Sequence, residues 1–306
     1  MLRRTTIPSL RAYAGGRLSE INFFFMHYAS KIDEAGAAVP PAYQSHSAGF
    51  RRAGFVQRAM GSVHMGVGVC FLEPDGRIDT HLHSFEESFY ILEGSLTVEA
   101  GGQTHELQPG HFGLIPTGLP HAWRNLAGSR ARWLEMQAPQ PRPADAGSNI
   151  GKDTWFTSDS GSAQGSLLLG HFDESQLPRP GGPSQMEGFN PTTGVAIKMF
   201  VDRSFGAIHQ SLFLIQYLPG AKIDPHDHTF EESYLILSGR TRAMADGRIY
   251  DLGPGDVIWT GVGCIHSFEN VSDEPVRWIE TQAPLPPARE VFRFERDWAR
   301  LTAAAK

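Results

Sequence analysis

The sequence predicts an all-β protein of two tandem units, each a closed or sandwiched antiparallel fold. Three observations predict it. A long internal repeat runs at one constant spacing. Short apolar runs of strand length are cut off by turn residues every 8–12 positions. Finally, 33 glycines and 21 prolines in 306 residues exceed the background of about 12% and call for many turns.

The repeat sets the organisation. Phe55-Val56-Gln57-Arg58 returns as Phe200-Val201-Asp202-Arg203, His81-Leu82-His83 as His226-Asp227-His228, and Arg132-Trp133-Leu134-Glu135 as Arg277-Trp278-Ile279-Glu280. Every pair is 145 residues apart, and no insertion breaks the register between 55 and 139. A unit this long is a duplicated domain and not a solenoid repeat. The expected division is 1–145 for the first unit with an N-terminal extension, and 146–306 for a lead-in, the second unit and a tail.

Within the units, Ser88-Phe89-Tyr90-Ile91-Leu92 reads as a strand ending at Glu93-Gly94, and Ser233-Tyr234-Leu235-Ile236-Leu237 as one ending at Ser238-Gly239. Leu212 to Leu218 is a β-type run stopped by Pro219-Gly220. Pro139 to about Pro191, rich in Pro, Gly and Ser, reads as a linker. Arg289 to Ala305 is expected to be a short helix, with Phe292, Phe294, Trp298 and Leu301 along it.

Composition excludes several function classes. The net charge of −6 leaves no basic stripe for nucleic acid. Two distant cysteines, Cys70 and Cys264, in no CxxC arrangement, argue against a disulfide framework and against a thiolate zinc site, and Cys264 is expected to be a small packing residue. The N-terminus has two arginines but no apolar run behind them, and no apolar stretch approaches the roughly 20 residues that span a bilayer. These features point to a soluble cytoplasmic protein.

The chemistry sits in a repeated histidine set. His81 and His83 project from one strand face because side chains two apart point the same way. Glu87 follows beyond a bend, and His121 arrives after the tight entry Pro116-Thr117-Gly118-Leu119-Pro120. The second unit carries His226, His228, Glu232 and His266. Three imidazoles and one carboxylate suit one divalent transition ion per unit: Fe, Mn, Co, Ni or Zn.

These residues resemble the cupin superfamily. Its first motif, G-x5-H-x-H-x3-4-E-x6-G, is matched by Gly220, His226, His228, Glu232 and Gly239. In the first unit it is matched by His81, His83, Glu87 and Gly94, with Gly76 one residue too close. The second motif, G-x5-P-x-G-x2-H-x3-N, is matched by Gly110, Pro116, Gly118, His121 and Asn125. The second unit has Gly255, Gly263, His266 and Asn270, with Gly261 in place of the proline. The resemblance implies a bicupin of two jelly-roll β-barrels, each able to hold a metal. The opposing reading, a relic like seed-storage bicupins, conflicts with liganding residue types at all eight positions.

Other repeated residues have two readings each. If the Trp133 and Trp278 face points inward, Glu135 and Glu280 are proton-transfer groups; if outward, they are surface or interface carboxylates. His64 and His209, expected on a strand before the motif, orient a ligand or sit hydrogen-bonded in a core or interface. Glu86 and Glu231 are expected at the surface or in interdomain pairing, Arg58 and Arg203 to anchor a turn, with anion binding as the alternative, and His105 and His111 to be exposed. Trp123 and Phe268 form either an apolar substrate wall or ordinary barrel core.

The leading functional expectation is a metal-dependent dioxygenase or oxidoreductase acting on a small aromatic or carboxylic substrate. A bicupin hydrolase or isomerase of the ureidoglycine aminohydrolase kind is one alternative, although its Glu-x-His-x3-His order differs. A non-catalytic metal-containing binding protein is another. A small-molecule substrate and a homodimer are the expected partners, with no nucleic acid and no membrane.

Overall fold

The computed structural model describes residues 26–142, 153–158, 165–182 and 193–286, plus the backbone of Arg293–Phe294. The first half of the chain runs through β1 (His27–Lys31), β2 (Ser47–Val56), β3 (Gly66–His83), β4 (Glu86–Glu93), β5 (Leu96–Ala100) and β6 (Gln103–Leu107). It continues with β7 (His111–Ile115), β8 (His121–Arg124), β9 (Ala131–Ala138), β10 (Thr154–Phe156) and β11 (Leu168–His171). All but β1 belong to one curled sheet, in which the long β3 pairs with β2, β8, β9 and β10.

The second half supplies β12 (Val195–Val201), β13 (Ser211–Tyr217), β14 (Lys222–Asp227), β15 (Glu231–Ser238) and β16 (Thr241–Ala245). Then follow β17 (Arg248–Leu252), β18 (Asp256–Thr260), β19 (His266–Glu269), β20 (Val276–Ala283) and β21 (Arg293–Phe294). They form two facing sheets, β1-β18-β15-β20-β13-β12 and β17-β16-β19-β14-β21. Both halves are the tandem β-barrels that the repeat predicts. Among the described residues no helix is long and apolar enough to cross a membrane.

The turn before the first histidine pair shows why the motif slips in the first unit. Gly220 takes φ +74, a left-handed conformation in which a Cβ is unfavourable. Its counterpart 145 residues earlier is Asp75, which takes φ +58. Aspartate tolerates that region better than most side chains. Asp75 therefore stands where the motif has glycine, and Gly76 is simply its neighbour.

The two barrels exchange edge strands. β1, from the N-terminal half, pairs with β18 of the second barrel, from His27↔Thr260 to Lys31↔Asp256. β11, from the linker region, pairs with β7 of the first barrel, from Leu168↔Leu114 to His171↔His111. The glycine that replaces the motif proline serves this exchange. Gly261 N–H donates to Met26 O at 2.6 Å, a bond that Pro116 in the first unit has no N–H to make.

One apolar cluster spans both barrels, joining Met65, Val67, Leu134 and Met136 to Leu212, Leu214, Trp259 and Ile279. Aromatic packing crosses the same seam, with Phe200 stacked on Phe112 at 4.6 Å and on Tyr90 at 5.3 Å. Two buried carboxylates pin the seam. Glu86 accepts from the backbone N–H of Ile208 at 2.8 Å and of His209 at 2.9 Å. Glu231 accepts from Val63 N–H at 2.8 Å, His64 N–H at 3.2 Å, Ser62 Oγ at 2.5 Å and Trp259 Nε1 at 3.3 Å. Of the two readings for these glutamates, the geometry is the interdomain one.

Several expectations need correction. His64 and His209 lie in turns before β3 and β13, not on strands, and what they give the seam is a backbone N–H. His105 and His111 are half-buried instead of exposed, because His111 packs against His171, with ring centroids 4.5 Å apart, where β11 covers β7. Within the expected C-terminal helix, Arg293–Phe294 is strand, paired with Asp227 and His226 along the open edge of β14. The rest of that segment lies outside the described residues.

Replacing Glu231 by Ala strands the N–H donors of Val63, His64 and Trp259 in a seam that water reaches poorly, at about 1–3 kcal/mol for each fully buried one, while the Ser62 hydroxyl keeps Met65 O as acceptor at 2.7 Å. Urea unfolding should show a loss of about 2–4 kcal/mol. A loss below about 1 kcal/mol would mean the seam does not depend on this carboxylate.

Candidate metal centres

The histidine pair sits at the end of a strand, with His83 the last residue of β3 and His228 just past β14, and the last histidine opens another strand paired directly across. His81 lies opposite His121 and His226 opposite His266. All six imidazoles are buried. Each is oriented by a backbone carbonyl two residues away: Nδ1 of His81, His83 and His121 lies 2.9, 2.7 and 2.9 Å from the carbonyls of Asp79, Phe85 and Leu119. The second set repeats this at 2.9, 2.8 and 2.9 Å with Asp224, Phe230 and Cys264. Because a carbonyl can only accept, Nδ1 carries the proton and Nε2 presents a lone pair.

The Nε2 atoms converge, and the donor atoms of each trio lie within 4.8 Å of one another. Glu87 Oε2 is 3.2 Å from His83 Nε2 and 4.0 Å from His121 Nε2. Glu232 Oε2 is 2.7 Å from His228 Nε2 and 3.1 Å from His266 Nε2. The structure thus brings together all eight residues that the motifs single out.

A divalent ion fits these donors. His121 Nε2 is buried with no hydrogen-bond partner, which is costly unless something binds it. Burial lowers His83 and His121 to about 4 and His226 to about 3, while burial with His121 and His83 alongside holds His81 well below the usual range. These imidazoles are neutral near pH 7 and need shed no proton to ligate. Burial, reinforced by Glu135, raises Glu87 to about 8. At Glu232 burial pushes the same way, but His228 and His266 overcome it and hold the carboxyl well below its ordinary value.

Glu135 and Glu280 are both buried inside their barrels and not at the surface. Glu135 accepts from Arg52 Nε and lies 3.6 Å from Cys70 Sγ. Glu280 accepts from Trp278 Nε1 at 2.9 Å, and burial together with Glu232 pushes its carboxyl well up. Trp123 and Phe268 stack on Trp133 and Trp278, both at 5.3 Å, as barrel core. Phe268 also touches the small cavity of the second barrel. Arg58 and Arg203 are exposed, and their carbonyls accept the turn bonds from Gly61 and Gly206.

The barrels differ where repeat matching is blind. Arg52 has Ile197 as its counterpart, and Tyr234 has Phe89. The Tyr234 hydroxyl donates to Glu232 and lies 3.1 Å from His266 Nε2, and Gln282 Nε2 donates to Glu232 Oε1 at 2.7 Å. The second barrel leaves a cavity of only about 30 Å³ beside His226, Glu232 and Glu280. In the first, a groove of about 1400 Å³ reaches Arg52, Glu135 and the wall of Tyr43, Phe85 and Phe156. That wall packs on the imidazoles: Tyr43 and Phe156 on His81 at 5.3 and 5.5 Å, and Phe85 on His83 at 4.2 Å. In the sequence Arg52 is one charge within Phe50-Arg51-Arg52-Ala53 with no repeat partner to mark it, and Tyr43 and Phe156 likewise carry no repeat signal.

A duplicated antiparallel barrel with an inward imidazole trio in each copy defines a two-barrel protein built to hold metal ions. Its family follows from comparison: the cupin domain model matches residues 68–136 and 213–281, and the chain is a two-domain cupin. Over 80 residues it is 32% identical to polyketide synthase CurC of Streptomyces cyaneus, covering 26% of this chain and 52% of that relative. The chain spans about half the length of the curated relatives it matches. Among solved structures it is similar to a putative glyoxylate-induced protein of Pseudomonas aeruginosa (TM-score 0.64, 16% identity, 93% of this chain and 99% of that one). It is also similar to oxalate decarboxylase of Bacillus subtilis (TM-score 0.58, 16% identity, 90% and 82%).

His83→Ala and His228→Ala should each lose about one metal equivalent by elemental analysis; unchanged stoichiometry in either would remove that residue from the ligand set. The metal-free protein should also lose stability as pH falls from about 6.5 to about 4. Over that window the unfolded chain takes up protons that the buried imidazoles refuse. Glu87 and Glu280, raised in the fold, act in the opposite sense but are outnumbered by His81, His83, His121 and His226. Thermal melts of chelator-treated protein check this; a constant Tm from pH 6.5 to 4.5 would contradict it.

Proposed function

We propose that the protein is a metal-dependent cupin enzyme of the oxygenase type, working in its N-terminal barrel on a small organic substrate with an acidic oxygen. The observation that carries this reading is the asymmetry of access: about 1400 Å³ of groove leads to the wall of one centre, against about 30 Å³ at the other. The groove stops one side chain short of the four donors, at Tyr43, Phe85 and Phe156, so entry requires those rings to turn.

A divalent ion on His81, His83, Glu87 and His121 would supply Lewis-acid polarisation or redox chemistry with O2. The chain's own residues do the rest. Glu135, anchored by Arg52 Nε, lines the groove and is placed to take a proton from an enolisable or phenolic group. Arg52 Nη2 is buried with no hydrogen-bond partner, a donor that the resulting oxyanion would satisfy. The aromatic lining excludes water and favours a flat substrate. A polyketide-type 1,3-dicarbonyl or a hydroxylated aromatic combines these features, and the name of the Streptomyces cyaneus relative supports that choice. In the second barrel no cation among the described residues pairs with Glu280, and the Tyr234 hydroxyl engages the donors, so that centre is read as closed to substrate.

Oxygen uptake by iron-loaded protein with catechols, hydroxybenzoates and 1,3-diketones tests this. His83→Ala should abolish turnover while His228→Ala retains most of it. Glu135→Gln should lower kcat by about 10²–10⁴ with metal content unchanged. No uptake across the panel, or loss through His228→Ala alone, would reject the assignment.

A further inference from the structure

A second set of ligating side chains lies outside both imidazole centres. Where β1 docks on the second barrel, His27 Nδ1 is 3.3 Å from Asp246 Oδ2. The Cys264 sulfur joins them, with all three donor atoms within 4.8 Å of one another. His27 and Cys264 are buried, and Asp246 opens the cluster to solvent. Each is held from behind. His27 Nε2 is 2.9 Å from Tyr250 Oη, Asp246 Oδ1 accepts from Ile265 N–H at 3.0 Å, and Cys264 lies in the turn whose N–H bonds Gly261 O at 3.1 Å.

The duplication supplies the control. In the first barrel the counterparts of Asp246, Tyr250 and Cys264 are Gly101, His105 and Leu119. The place of His27, opposite Thr260, is taken by Leu167, which precedes the Leu168↔Leu114 pair and so falls opposite Ile115. Leu167 and Leu119 share one apolar cluster, and a Cβ on Gly101 would sit 3.9 Å from Leu119. An apolar contact is therefore enough to seat the exchanged strand. The second barrel instead has nitrogen, oxygen and sulfur at the same three places, each of a type that ligates a borderline-soft cation.

We propose that His27, Asp246 and Cys264 form a third metal site, for zinc or a similar ion, that clamps the N-terminal strand to the second barrel. Donors around tetrahedral zinc lie on the order of 3.5 Å apart, so the cluster needs to contract by about 1.3 Å at most, with water from the open side as fourth ligand. The contact between His27 Nε2 and Tyr250 fixes the ring with Nδ1 toward the cluster, as metal-bound histidines are usually held. On binding, the ion replaces the thiol proton, which leaves to solvent.

Cobalt(II) titration of the full chain after chelator treatment is the test, because only a cysteine gives an intense near-ultraviolet thiolate-to-cobalt band and the sequence has just two. The band should appear, disappear in Cys264→Ser and in His27→Ala, and persist in Cys70→Ser. Bound cobalt should fall by one equivalent in the first two variants, with the imidazole-centre bands retained. No thiolate band at saturating cobalt, or one that survives Cys264→Ser, overturns the site. Should those variants fail to fold, Asp246→Asn at the exposed ligand carries the test: cobalt affinity should drop about 10-fold or more, and unchanged affinity rejects the proposal.

Discussion

The orientation of six buried imidazoles governs the rest of this molecule. Each spends its Nδ1 proton on a backbone carbonyl two residues away along the chain, and so leaves Nε2 to face the other donors of its trio. Burial keeps the rings of His81, His83, His121 and His226 neutral near pH 7, and neutrality makes them donors. A barrel that gathers three such lone pairs and a carboxylate in an apolar interior is costly to leave without a cation. The tight turns at Gly118 and Gly263, both with positive φ, set the last ring opposite the first pair.

That arrangement is tied across the seam between the barrels. Glu86 and Glu231 directly precede Glu87 and Glu232, and because side chains alternate along a strand, one carboxylate faces the metal position while its neighbour faces the other barrel. Each neighbour holds a turn of the opposite unit by two backbone N–H groups. Exchange of β1 and β11 ties the halves a second time. The ligand strands of one half are thus braced by the turns of the other.

Duplication preserved this frame and let the surroundings diverge. Arg52 against Ile197 gives only the first barrel a buried cation beside its inner glutamate. Phe89 against Tyr234 gives only the second a hydroxyl on its donors. Leu119 against Cys264 turns an apolar strand dock into a ligating one. The first two differences are single residues at equivalent positions, the third is one of three at the strand dock, and each changes what the local site can do.

The sequence by itself determined the two units, their β character, and the eight donors, because a fixed offset of 145 and a spacing of two along a strand are properties of the linear chain. It also marked Glu135, Glu280, Glu86 and Glu231 as repeated without saying which way they face. Only the tertiary structure decided that the first pair is buried inside the barrels and the second bridges them. It alone exchanged β1 with β11, opened a groove at one centre and closed the other, and brought His27 to Cys264 across 237 positions of sequence. Those outcomes depend on contacts between segments far apart in the chain, whose partners no local pattern names, and on what fills the space between them.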